Sequence, residues 1–284
     1  MRIGYLGPEG TFSHQALLDA QLGDGHEPLA LTTLYDTVMA VQDGAADAAL
    51  VPIENSLEGS VDVTLDTLAT DAPDVAIVGE TVATIRNCLI AAGPRELRSI
   101  ETVYSHPQAN GQCAQFLRRR LHGARVIPVS STAEAVRSVT AAGGTPVAAL
   151  GNRLAAALYG ATILLEDVDD HPGNQTRFVW VAPAARAEAV RELVGGAGEA
   201  KTSIVFWGAG DASPGWLVNC LWELSSREIS LSRIESRPRR IGLGHYMFFA
   251  DFGGLVADTA VEAALDGLRG RCQEVRVLGS YRRA

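Results

Sequence analysis

Three polar segments interrupt otherwise apolar patterning, and each follows a run that reads as a β-strand. The first is Pro52-Ile53-Glu54-Asn55-Ser56-Leu57-Glu58-Gly59-Ser60. Its Asn and Ser side chains offer donors and acceptors to an anion without adding charge, and Gly59 allows close backbone approach. The same residues would also serve an ordinary Asx turn. The second is Ser105-His106-Pro107-Gln108-Ala109-Asn110-Gly111-Gln112-Cys113, a dense run of hydrogen-bonding groups around a proline turn that opens a helix. Helix N-termini bind carboxylates well. Here Ser105 and Gln112 read as the groups that grip a ligand, whereas a lone histidine in a turn, such as His106, is more often structural than a base. The third segment, Asn174-Gln175-Thr176-Arg177-Phe178, enters the apolar strand Val179-Trp180-Val181 and sets a hydroxyl and a guanidinium at its mouth.

These segments need a scaffold, and the patterning up to about residue 182 supplies one. Short aliphatic runs alternate with amphipathic stretches, the signature of β-α units around largely parallel sheets. Arg2 to Leu6 reads as a strand, followed by a Gly7-Pro8-Glu9-Gly10 turn and a helix that Thr11 or Ser13 can cap. Thr33 to Gln42 reads as a helix stopped at Gly44, Ala48 to Val51 as a buried strand, and Val75 to Val78 as another. Strands near Cys88 to Ala91, Thr102 to Ser105, Arg125 to Val129 and Val147 to Leu150 form a second lobe, with a capping box at Ser131-Thr132-Ala133-Glu134. Thr162 to Val181 would return the chain to the first lobe. The polar loops then face a cleft, at the carboxyl ends of strands where α/β sheets place ligands.

Ala182 to Ala200 is rich in alanine and glycine and reads as a linker. Beyond it, strand Lys201 to Trp207, helix Gly215 to Ser226 with Ser213-Pro214 as N-cap and N1, strands Ile229 to Ser236 and Gly244 to Phe252, helix Asp258 to Leu268 and strand Cys272 to Leu278 give βαββαβ. Exposed edge strands of such units are best satisfied by another strand, which predicts pairing between copies.

Composition removes several classes of function. With 284 residues, 47% of them hydrophobic, the chain can bury the cores of two units. A net charge of −9 and a pI near 5.2 argue against nucleic acid as a partner. No apolar stretch is long enough to span a membrane, and the start MRIGYLGPEG has no apolar leader, so a cytoplasmic location is expected. Cys88, Cys113, Cys220 and Cys272 are too scattered for a zinc or redox pair and read as reduced packing residues. Lys201 is the only lysine among 24 basic residues.

Taken together, GPEGTFSH, VPIENSLEGSV, VYSHPQANGQC, SSTAEA, LGNRLAAALYG and NQTRFV resemble the prephenate dehydratase family in its order and spacing, over about residues 1–182. Glu235-Ser236-Arg237-Pro238, within the following βαββαβ unit, resembles the ESRP segment of the ACT domain of the same enzymes. The resemblance implies an α/β fold with a two-lobed, periplasmic-binding-protein-like catalytic domain at 1–182, a linker at 183–200 and a ferredoxin-like ACT domain at 201–284. It implies Thr176 as hydrogen donor, with Arg177 and Phe178 completing the catalytic motif, and Asn55, Ser105 and Gln112 as substrate-binding residues. Prephenate is the implied substrate, and neither a metal nor an organic cofactor is required.

The implied reaction removes CO₂ and hydroxide from prephenate as the ring becomes aromatic, giving phenylpyruvate on the route to L-phenylalanine. The enzyme must supply a proton, or a strong hydrogen bond, to the departing hydroxide. A cation on the ring carboxylate would stabilise the ground state, so neutral donors fit there and Arg177 or a helix N-terminus would serve the pyruvyl carboxylate instead. The ACT resemblance implies an L-phenylalanine effector site made by Pro214, Gly215, Trp216 and Leu217 with Glu235, Ser236, Arg237 and Pro238, in a homodimer or homotetramer joined through ACT domains. Trp216 replaces the small residue usual after proline-glycine, which implies an obstructed, weaker effector site. Arogenate differs from prephenate only by an amine, and a solute receptor or pure amino-acid sensor would use the same architecture without turnover. The intact TRF motif argues against a relative that decarboxylates without aromatising.

Overall fold

The computed structural model describes residues 1–208 and 213–283. The first lobe opens with β1 (Arg2–Leu6), α1 (Phe12–Asp19), β2 (Glu27–Leu31), α2 (Leu34–Gln42) and β3 (Ala48–Asn55). A two-residue β4 (Gly59–Ser60), α3 (Asp62–Thr70) and β5 (Val75–Thr84) follow. The second lobe holds β6 (Cys88–Ala91), β7 (Thr102–Ser105), α4 (Pro107–Gln112), α5 (Ala114–Arg120), β8 (Arg125–Pro128) and α6 (Thr132–Ala141). It continues with β9 (Val147–Gly151), α7 (Arg153–Leu158) and β10 (Thr162–Leu165), before β11 (Gln175–Pro183) returns to the first lobe. The chain ends with α8 (Ala187–Val194), β12 (Ala200–Trp207), α9 (Trp216–Ser225), β13 (Leu231–Pro238), β14 (Tyr246–Gly253), α10 (Thr259–Arg269) and β15 (Glu274–Arg282).

Helix starts follow the sequence cues. The Thr11 hydroxyl accepts from the His14 amide and the Ser131 hydroxyl from the Glu134 amide. The reciprocal half of the predicted capping box is absent, because Glu134 instead pairs with Arg137 and accepts from Ser138. At α9 the N-cap is Gly215 at φ 80°, so Pro214 lies before the helix and not at its first turn. Strands β3 and β5 run longer than their apolar stretches, to Asn55 and Thr84, because each has a partner strand along its polar end.

Two sheets carry the two lobes. The second lobe is a five-stranded sheet in the order β10-β6-β9-β7-β8, with Val103, Ala148 and Leu150 fully buried. The larger sheet is mixed, where largely parallel pairing was expected: β1 runs parallel to β2 and β3, but β11 lies antiparallel between β3 and β5. A strand returning from the other lobe enters from the opposite end, which reverses its direction. Val38, Leu50, Ile77 and Val179 are buried in this lobe, each contributing about 1.5–3 kcal/mol relative to exposure.

The C-terminal unit has the predicted βαββαβ order and continues the first lobe's sheet, giving β13-β14-β12-β15-β5-β11-β3-β1-β2. β15 meets β5 at Gly279 opposite Ile77, where a Cβ on Gly279 would lie 2.2 Å from the Ile77 carbonyl oxygen. One edge expected to await another copy is thus filled within the chain, and β13 is left as the outer strand of this unit. Residues 183–200 also differ from a plain linker: α8 packs on the first lobe through Val190, which is buried among Trp180, Val78 and Ala182.

Candidate active site

The lobes enclose a cleft of about 750 Å³. Thr176 and Phe178 enter it from one face of β11, as alternate residues of a strand must. Asn55 enters from β3, directly opposite Thr176 in the ladder. The Asn55 carbonyl oxygen accepts from the Leu57 and Glu58 amides, which fixes the orientation of the side chain. Its NH₂ group therefore faces Thr176 and donates to the hydroxyl oxygen at 2.9 Å, sharing its two hydrogens with Asn174 Oδ1 and the Gln175 carbonyl. With an acceptor site of its oxygen occupied, Thr176 has its own proton free to donate toward the cleft. It is buried but not sealed, at 8% exposure.

The second lobe contributes His106, Gln108 and Gln112. The Gln112 carbonyl oxygen accepts from Asn87, whose amide is held by Asp169, so the Gln112 NH₂ is left for a ligand. His106 Nδ1 accepts from the Gln108 amide, and burial lowers the histidine's pKa, which keeps the ring neutral. The starts of α1 and α6 add Thr11, Ser13, Ser131 and Thr132. Sequence reasoning recognised these as caps without assigning them to the cleft; the signal was a polar N-terminal turn directly after a strand, as in the three segments that were chosen. The Tyr159 hydroxyl, from α7, donates to the Glu9 carbonyl at 2.8 Å and ties the lobes together at the rim.

Two of the implied site residues lie elsewhere. Arg177 leaves β11 on the face opposite Thr176 and binds Glu54, Glu80 and Asp251 at 3.0, 3.1 and 2.6 Å. It is therefore turned away from the cleft and from any substrate carboxylate. Ser105 is 1% exposed and donates to its neighbour's carbonyl, that of His106, so it shapes the turn and does not line the cleft. Among the described residues the lining contains no Asp, Glu, Lys or Arg, only hydroxyls, amides, His106 and apolar groups. An anion placed there meets dipoles in a low-dielectric space, where preorganised donors act strongly.

The implied effector residues also separate. Along β13, Glu235 and Arg237 face the first lobe: Ser60 donates to Glu235 at 2.8 Å, and Arg237 binds Asp62 and Asp66. Ser236, one residue out of phase, lies opposite Phe248 on the helix-covered face. Trp216 packs on that same face, with ring centroids 5.9 Å from Phe248 and 6.2 Å from Phe206, and its indole N–H donates to the Arg271 carbonyl. The absence of a side chain at Gly208 makes room for the ring. A cavity of about 240 Å³ remains beside it, lined by Gly215, Trp216, Leu217, Gly244, Tyr246 and Phe248. The indole forms a wall of that cavity.

Two α/β lobes with neutral donors lining the cleft between them define a two-lobed α/β protein of the kind that binds a small ligand between its lobes. The prephenate dehydratase family model matches residues 3–186, and the chain belongs to that family. It is 39% identical to a prephenate dehydratase of Mycolicibacterium vanbaalenii, over 98% of this chain and 90% of the relative. Among solved structures, a prephenate dehydratase from Arthrobacter aurescens in complex with L-Phe superposes with a TM-score of 0.85 at 35% identity, covering 100% of this chain and 90% of that one. A protein described as a quorum quenching acylase, GqqA, superposes with a TM-score of 0.83 at 26% identity, covering 100% and 98%.

Proposed function

We propose that the cleft converts prephenate to phenylpyruvate, CO₂ and water, with Thr176 as the donor to the departing hydroxyl. The observation that carries this reading is the Asn55 amide bonded to the Thr176 oxygen, which leaves the Thr176 proton for the substrate. As the ring carboxylate leaves as CO₂, its bonding electrons enter the ring and the C–OH bond breaks. Thr176 then meets the developing hydroxide with a proton or a strong hydrogen bond in a largely buried space. The uncharged lining supports the same reading, since nothing there pins the ring carboxylate in its ground state. A lining without Asp or Glu also favours the keto acid over arogenate, whose ammonium would lack a charged partner. Gln112 and the amides at the starts of α1 and α6 hold the carboxylates.

Residues 1–182 carry this activity in the proposal, and 201–284 form an ACT unit that takes L-phenylalanine in the cavity beside Trp216. The L-Phe complex of the Arthrobacter relative supports that ligand. Second copies of the chain pair through the C-terminal unit as a homodimer or homotetramer; the free outer strand β13 and the exposed Val218 and Trp222 of α9 support this. No helix among the described residues is long and apolar enough to cross a membrane. Four free cysteines fit the reducing cytoplasm proposed as the location. Mixing the purified protein with prephenate and following phenylpyruvate absorbance tests the activity: product formation supports it, and binding without turnover would make the chain a receptor or sensor.

A further inference from the structure

We infer that Asp251, in the C-terminal unit, is a positioning residue for the dehydration, acting through Arg177 on the Asn55–Thr176 pair; this rests on the proposed role of Thr176. The cross-strand pair Thr176 and Asn55 is followed in the ladder by Arg177 opposite Glu54. Alternation sends the first pair into the cleft and the second toward the C-terminal unit. Immediately after Arg177 the pairing with β3 is interrupted, because Phe178 sits opposite Pro52 and one residue of β3 is skipped. A bulge of this kind weakens the local ladder. β11 keeps an unbroken antiparallel register with β5 through Gln175–Thr84, Thr176–Ala83 and Arg177–Val82, so it is the end of β3 that the bulge loosens, and there the register is held by Ser56 and Gln175, which exchange two hydrogen bonds, and by Arg177 on Glu54.

Arg177 can hold that register only if its own charge is held. Its guanidinium is buried, with Asp251 as its shortest partner at 2.6 Å and Glu80 as another. Burial works against that charge, but Asp251, Glu80 and Glu54 outweigh it and raise the Arg177 pKa. Glu80 is itself bound by Lys201, Tyr281 and Arg283, and Asp251 lies 3.9 Å from Arg233. Those four partners, and Asp251 itself, all belong to the C-terminal unit. The clamp behind the catalytic pair is therefore assembled from both halves of the chain, and loss of the Asp251 charge would let Arg177 re-aim toward Glu54 and Glu80 and shift the end of β3 against β11. A slip there moves the Thr176 hydroxyl off the Asn55 amide, and misplacement by about 1 Å costs on the order of 10²-fold in rate.

The test is a cycle in the full-length protein: Asp251→Asn, Thr176→Ala and the double variant, each assayed for kcat and KM with prephenate. Asp251→Asn should lower kcat by about 10-fold to 100-fold with KM little changed. In the Thr176→Ala background the same substitution should lower kcat no further, because the residue it positions is gone. Asp251→Glu, which keeps the charge but changes its reach, covers the case in which the asparagine variant fails to fold, and should show the same pattern more weakly. An equal fractional loss in both backgrounds, or a loss confined to KM, would overturn the positioning role. Native kcat in Thr176→Ala would overturn it too, by removing the donor role on which it rests.

Discussion

The side-chain amide of Asn55 donates to the hydroxyl oxygen of Thr176 across the β3–β11 ladder at 2.9 Å. Both ends of the Asn55 side chain are engaged within the protein, so in the proposed mechanism it acts through Thr176. Asn55→Asp keeps the shape but replaces the donor with an acceptor that would draw the Thr176 proton away from the cleft. It should lower kcat by about 1–3 kcal/mol, the penalty for a mispaired buried group, with a smaller change in KM. A change confined to KM would instead make Asn55 a direct substrate ligand.

Glu80 is the most heavily bound carboxylate of the clamp behind the site. Burial opposes its charge, but Lys201, Arg177 and Arg283 outweigh it and hold its pKa at about 2, against an ordinary 4.5. A lowered carboxylate pKa adds stability above the unfolded value, roughly 3 kcal/mol here, which is lost as pH falls from 4.5 toward 2. Glu80→Gln leaves Lys201 and Arg177 without that charge and should cost about 3–5 kcal/mol at neutral pH. Denaturant melts across pH should show a shallower acid loss in the variant. An unchanged acid slope would mean that Glu80 is not the linked group.

Much of this arrangement was legible in the sequence, and its gaps have physical reasons. Thr176 and Asn55 stood out through the resemblance of their segments to the family's motifs; on residue types alone the Asn55 segment also read as an Asx turn, and its side-chain oxygen does accept from the Leu57 and Glu58 amides. Arg177 was misplaced because adjacency in a motif was read as adjacency in space, although strand alternation sends Thr176 and Arg177 to opposite faces. Its partner Asp251 lies 74 residues away in another unit, and no local pattern announces such a pairing. Strand β2 was missed because Pro28 reads as a breaker; it is tolerated there because β2 is an outer strand. The helix in the apparent linker was hidden by the flanking glycines that follow it.

Trp216 is partly buried, packed against the core of the C-terminal unit, and forms a wall of its cavity. Trp216→Ala should cost about 3–5 kcal/mol of stability through the space it leaves, and should weaken L-phenylalanine binding by removing the wall. Calorimetric titration of both forms checks this. Tighter binding in the alanine variant would show that the indole obstructs the site after all.

The pH profile should be governed by His106, the one histidine among the described residues of the cleft lining. Burial moves its pKa below the ordinary 6.5, so the ring is neutral at and above about pH 7. kcat/KM should be level from about pH 7 to 9 and change only as acid protonates this ring and ends its acceptance from the Gln108 amide. His106→Gln should remove the acid limb. An alkaline limb inside that range would point to a titrating acid other than Thr176.

The most direct measurement is the single-turnover rate of prephenate conversion by Thr176→Ala and Thr176→Ser beside the native protein. If Thr176 donates to the departing hydroxyl, the alanine variant loses about 10²- to 10⁴-fold in rate with its melting temperature nearly unchanged, and serine recovers part of the loss. A Thr176→Ala protein that forms phenylpyruvate at the native rate would contradict the account.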